Sequence, residues 1–330
     1  MLKTAEKGRR GKIVVKRSIS CLGLISIAAL TLTAEDRNEA RVNITPRIVT
    51  RPQAVVNASI RVDTKLVLIP VTVTDTFGAP FMGMTRDRFR LFEDGVEQQV
   101  KYFTAQDAPI SLGVVFDASR SMEGKLDQSR AAVSRFFHTS MPGDEFFLVE
   151  FNDRPRLLSG FTSSTDAIEK SLVGIKPKNW TALLDAVYMA IHEMKHASNS
   201  RKALLILSDG GDNNSRYTET EIKSRVREAD VSIYCIGLGT GLIKHHVRLL
   251  KQLSEETGGE YRQADKMSDL PDAIEQISAA IRHQYVLGYS SSNSSNDGMY
   301  RKIQVTLKQA GDKPPLHASW RNGYYAPAGR

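Results

Sequence analysis

The sequence GVVFDASRSMEG, residues 113–124, changes from apolar to polar at its middle. It begins with an apolar run typical of a strand buried on both faces, and then places Asp117, Ser119 and Ser121 at alternate positions. Such residues are common in turns and helix caps. Their oxygens are also the ligands that hard divalent cations prefer, so the rest of the chain has to distinguish the two interpretations.

The region from residue 107 to residue 284 alternates apolar, strand-like runs with amphipathic segments of helical period. The strand-like runs include PISLGVVFD, DEFFLVEFN, RKALLILSDG and VSIYCIGLG, and the helical segments include KLDQSRAAVSRFFHTS and TALLDAVYMAIHEMKHA. Strands and helices that alternate at this spacing build parallel sheets covered on both faces. We therefore expect an α/β fold with a doubly wound, mostly parallel, Rossmann-like sheet.

Two further polar loops fall where this fold would place a ligand site. Thr181 opens a long helix in NWTALLDA, and Asp209 follows an apolar strand in LSDGGDN. Ligands of doubly wound sheets bind beyond the carboxyl ends of the strands. The candidate metal ligands are Asp117, Ser119, Ser121, Thr181 and Asp209. Mg²⁺ takes only one or two carboxylates and keeps several waters, so such an ion has room for an oxygen from another molecule.

This set resembles the metal-ion-dependent adhesion site of von Willebrand factor A (VWFA) domains. The resemblance covers residues 110–284, and the flanking segments resemble those of exported bacterial VWFA-related proteins. It implies direct metal contacts from Ser119 and Ser121, and Asp117 and Asp209 near the ion, often through water. It implies a contact from Thr181 that is direct or through water. The ion, Mg²⁺ or alternatively Mn²⁺ or Ca²⁺, would accept a carboxylate from a protein partner. One departure is Trp180, where many relatives carry Gly; we expect its side chain to be packed.

The N-terminus is typical of a targeting segment. Residues 1–34 carry seven basic residues and one acid, and residues 18–34 are apolar and uncharged. This pattern predicts either a cleaved secretory signal or a retained N-terminal anchor, which would be the chain's contact with a membrane. The chain carries a net charge of +8 and this segment supplies +6, so the remainder holds only +2. A nucleic-acid partner is therefore not expected.

The remaining segments frame the α/β region. We expect a leader at 1–34, a linker at 35–59, a β-rich domain at 60–106, the VWFA domain at 107–284 and a C-terminal β segment at 285–330. The last is a candidate to pair with the N-terminal β domain. The dipeptide Asp94-Gly95 between two strand-like runs predicts a hairpin. Of the two cysteines, only Cys235 lies outside the leader, and its apolar strand predicts a buried, inert thiol.

Two kinds of binding function fit these patterns, and catalysis does not. The first is an exported adhesion-type module, periplasmic, envelope-bound or extracellular, in which the metal accepts a partner's acidic side chain. The alternative is a non-catalytic scaffold subunit of a cell-envelope assembly that uses its β flanks. A phosphatase with an aspartyl nucleophile usually carries a second Asp two residues later, where this chain has Ser119. Neither a P-loop nor a nucleophile-elbow motif occurs.

Overall fold

The structure, a computed structural model, describes residues 66–209, 211–240, 244–308 and 315–329, all within the unit Arg61–Arg330. The expected leader, the linker and residues 60–65 of the expected β domain lie outside the described residues. Within the described part of the chain, no helix is both long and apolar enough to cross a membrane.

The central sheet has six strands in the order β10-β9-β8-β5-β6-β7. Five of them are parallel, and β7 is antiparallel to β6. This is the expected doubly wound α/β fold. The strands are β5 (Ile110–Asp117), β6 (Glu145–Phe151), β7 (Pro155–Thr162), β8 (Arg201–Ser208), β9 (Ser232–Leu238) and β10 (Tyr261–Ala264).

Six helices cover the two faces of this sheet. They are α1 (Leu126–Phe137), α2 (Thr165–Val173), α3 (Leu183–Glu193), α4 (Glu219–Glu228), α5 (Lys244–Thr257) and α6 (Leu270–Arg282). Helices α1, α2 and α6 pack on one face, and α3, α4 and α5 pack on the other. Alternate residues of a strand point to opposite faces, so Val114 and Val115 of β5 belong to different cores.

The strand β5 lies at the centre of the sheet and is buried along its whole length. A Cβ atom at Gly113 would lie 2.2 Å from the Phe147 ring and 2.6 Å from Leu204 Cδ2. The absent side chain therefore lets the neighbouring strands β6 and β8 place large residues over β5. The strand β5 ends at Asp117.

The segments before and after the α/β region form two antiparallel sheets with strands from both segments. One sheet has the order β13-β1-β11-β4 and the other β14-β12-β2-β3. The strands are β1 (Leu66–Thr74), β2 (Phe89–Glu93), β3 (Val96–Gln98), β4 (Tyr102–Thr104), β11 (Gln284–Ser290), β12 (Tyr300–Leu307), β13 (His317–Trp320) and β14 (Gly323–Tyr325). Their apolar side chains form one shared core. Asp94 and Gly95 have φ of 48° and 83°, and they join β2 to β3 as a hairpin.

Candidate metal centre

The five predicted ligands lie on three loops at the carboxyl edge of the central sheet. Asp117 is the last residue of β5, and Ser119 and Ser121 follow it, with Ser121 in the short 3-10 helix Arg120–Met122. Asp209 comes directly after β8, which is the parallel neighbour of β5. Thr181 lies two residues before the first residue of α3, Leu183. Parallel neighbours end at the same edge of a sheet, so the chain topology brings these loops together.

The carboxylate of Asp117 is fully buried at the base of this group. Its Oδ1 accepts the Ser119 backbone N–H at 2.8 Å, and its Oδ2 accepts the Ser208 hydroxyl at 2.5 Å. Burial, together with the nearby charge of Asp209, outweighs these hydrogen bonds and raises the pKa of Asp117 to about 6. Among the described residues, no basic side chain forms an ion pair with Asp117. The sequence did not indicate Ser208, because its role depends on the pairing of β5 with β8.

Two serine hydroxyls and Asp209 continue this network toward the surface. The Oγ atoms of Ser119 and Ser121 are 3.0 Å apart, and Ser121 Oγ donates to Asp209 Oδ1 at 2.8 Å. Adjacent oxygens around an octahedral Mg²⁺ with bonds of about 2.1 Å lie about 3 Å apart. The spacing of the two hydroxyls therefore fits neighbouring positions of a hard-cation coordination shell.

Backbone hydrogen bonds hold the Thr181 loop against the other two loops. The N–H of Lys178 donates to the carbonyl of Ala118 at 2.9 Å, which ties the Thr181 loop to the loop after β5. Thr181 N–H donates to Asn213 Oδ1, and the Thr181 carbonyl accepts the Asn213 N–H, both at 2.9 Å. Thr181 itself is buried. The structure thus joins four of the predicted residues by side-chain contacts and fixes the backbone of the fifth beside them.

The side chain of Trp180 is not packed, so that expectation was wrong. It is 60% exposed at the rim of the site. The carboxylate of Asp153 accepts the Trp180 N–H at 3.0 Å and the Asn179 side-chain amide at 3.1 Å. Asn179 adopts a left-handed φ of 37°, a conformation that Asn tolerates better than most residues. These two hydrogen bonds fix the local backbone, and the indole is left in solvent.

Asp212, in the loop after β8, supports the helix α3. Its Oδ1 accepts the Leu184 N–H at 3.3 Å and the Ser215 hydroxyl. Leu184 lies in the first turn of α3, where backbone N–H groups lack helical partners. Asp212 therefore helps to hold α3, and with it Thr181, which lies two residues before the helix.

Lys125 also belongs to the site, although the motif does not include it. Its Nζ lies 2.6 Å from Asp209 Oδ2 and forms an ion pair with a side chain that is only 5% exposed. Lys125 stands at the N-cap of α1, and its side chain makes no capping hydrogen bond. A cation is disfavoured at a helix N-terminus. A lysine at this position is therefore a sequence signal that the side chain has another partner.

The donor set fits a hard cation rather than a soft one. Every candidate ligand presents oxygen, and the two acids are Asp117 and Asp209. No group of three or more His, Cys, Asp or Glu side chains able to hold a metal occurs in the described part of the chain. A site here would therefore depend on the three hydroxyls, which suits Mg²⁺ or Mn²⁺ with water in the remaining positions. The fold and the site together define a class of protein: a doubly wound α/β domain with a cluster of oxygen ligands at the carboxyl edge of its central sheet.

Comparison with known families agrees with this class. Residues 112–211 match the model of the von Willebrand factor type A domain. The matched segment is less than a third of the chain and runs from β5 to the loop after β8. The domain family is known for metal-dependent protein interaction and adhesion.

Proteins similar to this chain include three from animals. Inter-alpha-trypsin inhibitor heavy chain H4 of Bos taurus is 25% identical over 218 residues, which is 58% of this chain and 24% of that protein. Its counterpart from Mus musculus is 24% identical over 215 residues, 58% of this chain and 22% of that protein. The match thus spans about a quarter of either relative. Proximal thread matrix protein 1 of the mussel byssus, solved with a zinc-occupied MIDAS motif, superposes with a TM-score of 0.50 at 20% identity. That match covers 58% of this chain and 50% of the mussel chain and supports the fold.

Proposed function

We propose that this chain is an exported, divalent-metal-dependent protein-binding module without catalytic activity. An ion, Mg²⁺ or alternatively Mn²⁺ or Ca²⁺, is held by Ser119, Ser121 and Thr181, with Asp117 and Asp209 beside it. A protein partner completes the coordination with a carboxylate oxygen. The relatives supply the domain class, while the metal, the partner and the export are inferred from this chain.

The observation that carries the proposal is the buried carboxylate of Asp117 beneath two hydroxyls that lie 3.0 Å apart. A buried charge is costly unless it is paired or bound to a metal. The described residues offer Asp117 two hydrogen-bond donors and no cation. A divalent ion at the hydroxyl pair would supply the missing positive charge and use both hydroxyls as ligands.

Titration calorimetry with Mg²⁺ and with Mn²⁺ tests this proposal. The wild type should bind one ion, and the double variant Asp117→Ala, Ser119→Ala should bind none. The matched control Asp127→Ala, Ser140→Ala exchanges the same residue types at exposed positions and should bind as the wild type does. Ion at 100 times its dissociation constant should stabilise the wild type by about 2.7 kcal/mol, visible as a rise in melting temperature. Equal binding by wild type and double variant would refute the metal site.

The scaffold function remains the second candidate because the β flanks carry an exposed apolar patch. The side chains of Leu66, Leu68 and Tyr102 are each more than 40% exposed, and all three converge over Gly288. If this patch holds the protein in an assembly, Leu68→Asp should prevent co-purification of the assembly partner while metal binding stays unchanged. Loss of the partner in EDTA, with no effect of Leu68→Asp, would favour the metal-bridged function instead.

A further inference from the structure

The ion pair between Lys125 and Asp209 places a cation of the chain itself at the candidate metal centre. Lys125 Nζ lies 2.6 Å from Asp209 Oδ2, and the two side chains are 28% and 5% exposed. Solvent screens such a partly buried pair less than it screens a fully exposed pair, so the ammonium charge acts on the neighbouring oxygens. Lys125 is therefore part of the electrostatics of the site.

The local backbone directs Lys125 to this position. Gly124 has a φ of 82°, a left-handed conformation that favours glycine, and it turns the chain from the short 3-10 helix into α1. On the far side, a Cβ atom at Gly239 would lie 3.8 Å from Lys125 Nζ, so the loop after β9 passes close to the ammonium. The lysine is thus held between a fixed turn and a neighbouring loop.

The two oxygens of Asp209 have different partners. Oδ1 accepts the Ser121 hydroxyl at 2.8 Å, and Oδ2 accepts the Lys125 ammonium. The hydroxyl pair and the lysine therefore approach Asp209 through different atoms. An ion that used the hydroxyls would leave the Lys125 contact available, so the ammonium charge would persist while the ion is bound.

We infer that Lys125 lowers the affinity of this centre for divalent cations, which makes retention of the ion depend on the partner's carboxylate. The inference rests on the proposed metal-binding function. Asp117 and Asp209 together carry two negative charges when ionised, and Lys125 reduces that total to one. A divalent ion then leaves the centre with one surplus positive charge. A carboxylate from the partner cancels that surplus.

The test is Mn²⁺ titration calorimetry on the full chain at pH 7.5, with Lys125→Met and Lys125→Arg beside the wild type. Methionine keeps the length of the side chain and removes its charge, whereas arginine keeps the charge. Removal of a unit charge close to a divalent ion should strengthen Mn²⁺ binding at least about tenfold. The arginine variant should stay within about twofold of the wild type.

Thermal unfolding provides a readout that a folding defect would not imitate. In EDTA, Lys125→Met should melt below the wild type, because Asp209 loses its partner. Saturating Mn²⁺ should then raise the melting temperature of Lys125→Met by more than it raises that of the wild type. Equal or weaker Mn²⁺ binding by Lys125→Met, or an equal gain in Lys125→Arg, would overturn the inference.

The triple variant Lys125→Met, Asp117→Ala, Ser119→Ala separates this inference from the proposed function. Binding by Lys125→Met that is lost in the triple variant supports both, even if wild-type binding is too weak to detect. Clear binding by the wild type that Lys125→Met leaves unchanged overturns the role of Lys125 alone. Absence of binding in every form, Lys125→Met included, overturns the metal centre and the role of Lys125 with it.

Discussion

A buried aspartate lies at each end of β5. Asp117 is the last residue of the strand, and Asp144, which precedes β6, contacts its first residue. The two aspartates differ in their hydrogen-bond and ion-pair partners. At the amino end, Asp144 accepts the Ile110 N–H at 2.9 Å and pairs with the buried Arg282. At the carboxyl end, Asp117 receives a backbone N–H and a hydroxyl but no cation from the described residues. Both acids are less than 3% exposed, so burial alone does not distinguish them.

The two pKa values move in opposite directions. Burial raises the pKa of Asp144, but the hydrogen bonds from Arg282 and from the backbone of Met141 and Ile110 outweigh it and bring the pKa below its ordinary value. Burial dominates at Asp117 and raises its pKa to about 6. At the amino end of β5, the charge of Asp144 is therefore neutralised by Arg282. At the other end, Lys125 pairs with Asp209, but Asp117 itself has no cation partner among the described residues. A buried acid without a paired cation is what a site for an external cation requires.

The largest effect should follow from breaking the pair at the amino end. Arg282→Met leaves Asp144 buried without its cation, and the loss of one partner of a buried pair typically costs 3–5 kcal/mol. Urea denaturation in EDTA measures the change. The exposed pair Arg90–Glu97 supplies the control, because solvent screens this pair and Arg90→Met should cost far less stability than Arg282→Met. Equal losses in the two variants would show that Asp144 does not depend on Arg282.

The next largest difference in stability should appear when Asp is replaced by Asn at each end of β5. Asp144→Asn should cost about 3 kcal/mol, because it leaves Arg282 unpaired. Asp117→Asn removes a charge that the chain does not compensate, so its unfolding free energy in EDTA should stay within about 1 kcal/mol of the wild type. The metal affinity of Asp117→Asn, in contrast, should fall below detection in calorimetry. A large loss of stability in Asp117→Asn without metal would mean that the carboxyl end is structural as well.

The pH dependence should also separate the two ends. Metal binding needs the Asp117 carboxylate, so with a pKa of about 6 the Mn²⁺ affinity should fall about tenfold between pH 7 and pH 5. Without metal the sign reverses. A raised folded pKa contributes stability below the unfolded value near 3.8, and that contribution disappears as the pH rises through 6.

Asp144 provides the internal reference for this experiment. Its pKa is lowered, so its contribution is present above the unfolded value near 3.8 and disappears as the pH falls through the folded pKa. Denaturation midpoints in EDTA across pH 3.5 to 7 measure both trends. Asp117→Asn should remove the decline in stability between pH 4 and pH 6. It should leave unchanged the loss of stability at lower pH that Asp144 causes. An unchanged decline in that variant would assign it to another group.

The sequence was sufficient to predict the doubly wound sheet, because its strands are continuous apolar runs that need burial on both faces. It did not predict β7, whose residues are half-exposed and include Ser159 and Gly160. The extended conformation of such an edge strand depends on hydrogen bonds to β6 and not on an apolar pattern in its own sequence. The arrangement of the β flanks likewise depends on pairing between distant strands and not on the pattern of each strand. Their strands were recognisable singly, but the register of β1 on β11 joins residues more than 200 positions apart.

The candidate site shows a similar division. Its five oxygen-bearing residues followed from the motif and from the edge at which parallel strands end. The groups that set its charge and support its loops did not, because Lys125 meets Asp209 across 84 positions and Ser208 meets Asp117 across 91. The side chain of Trp180 was expected to be packed and is exposed. The Trp180 backbone N–H donates to Asp153, a residue 27 positions away, and this contact was not apparent from the sequence.

The smallest effect on stability, and a direct test of where the ion lies, should come from Trp180→Phe. The side chain is largely exposed, so the unfolding free energy should change by less than about 0.5 kcal/mol and Mn²⁺ affinity should hardly change. The chain has two tryptophans, and the other, Trp320, donates its indole N–H to the Ile303 carbonyl within the β flanks. Paramagnetic Mn²⁺ at the carboxyl edge should quench Trp180 emission, and the quenching should disappear in Trp180→Phe but persist in Trp320→Phe. The reverse pattern would place the ion against the β flanks and would remove the contrast between the two ends of β5 as a guide to function.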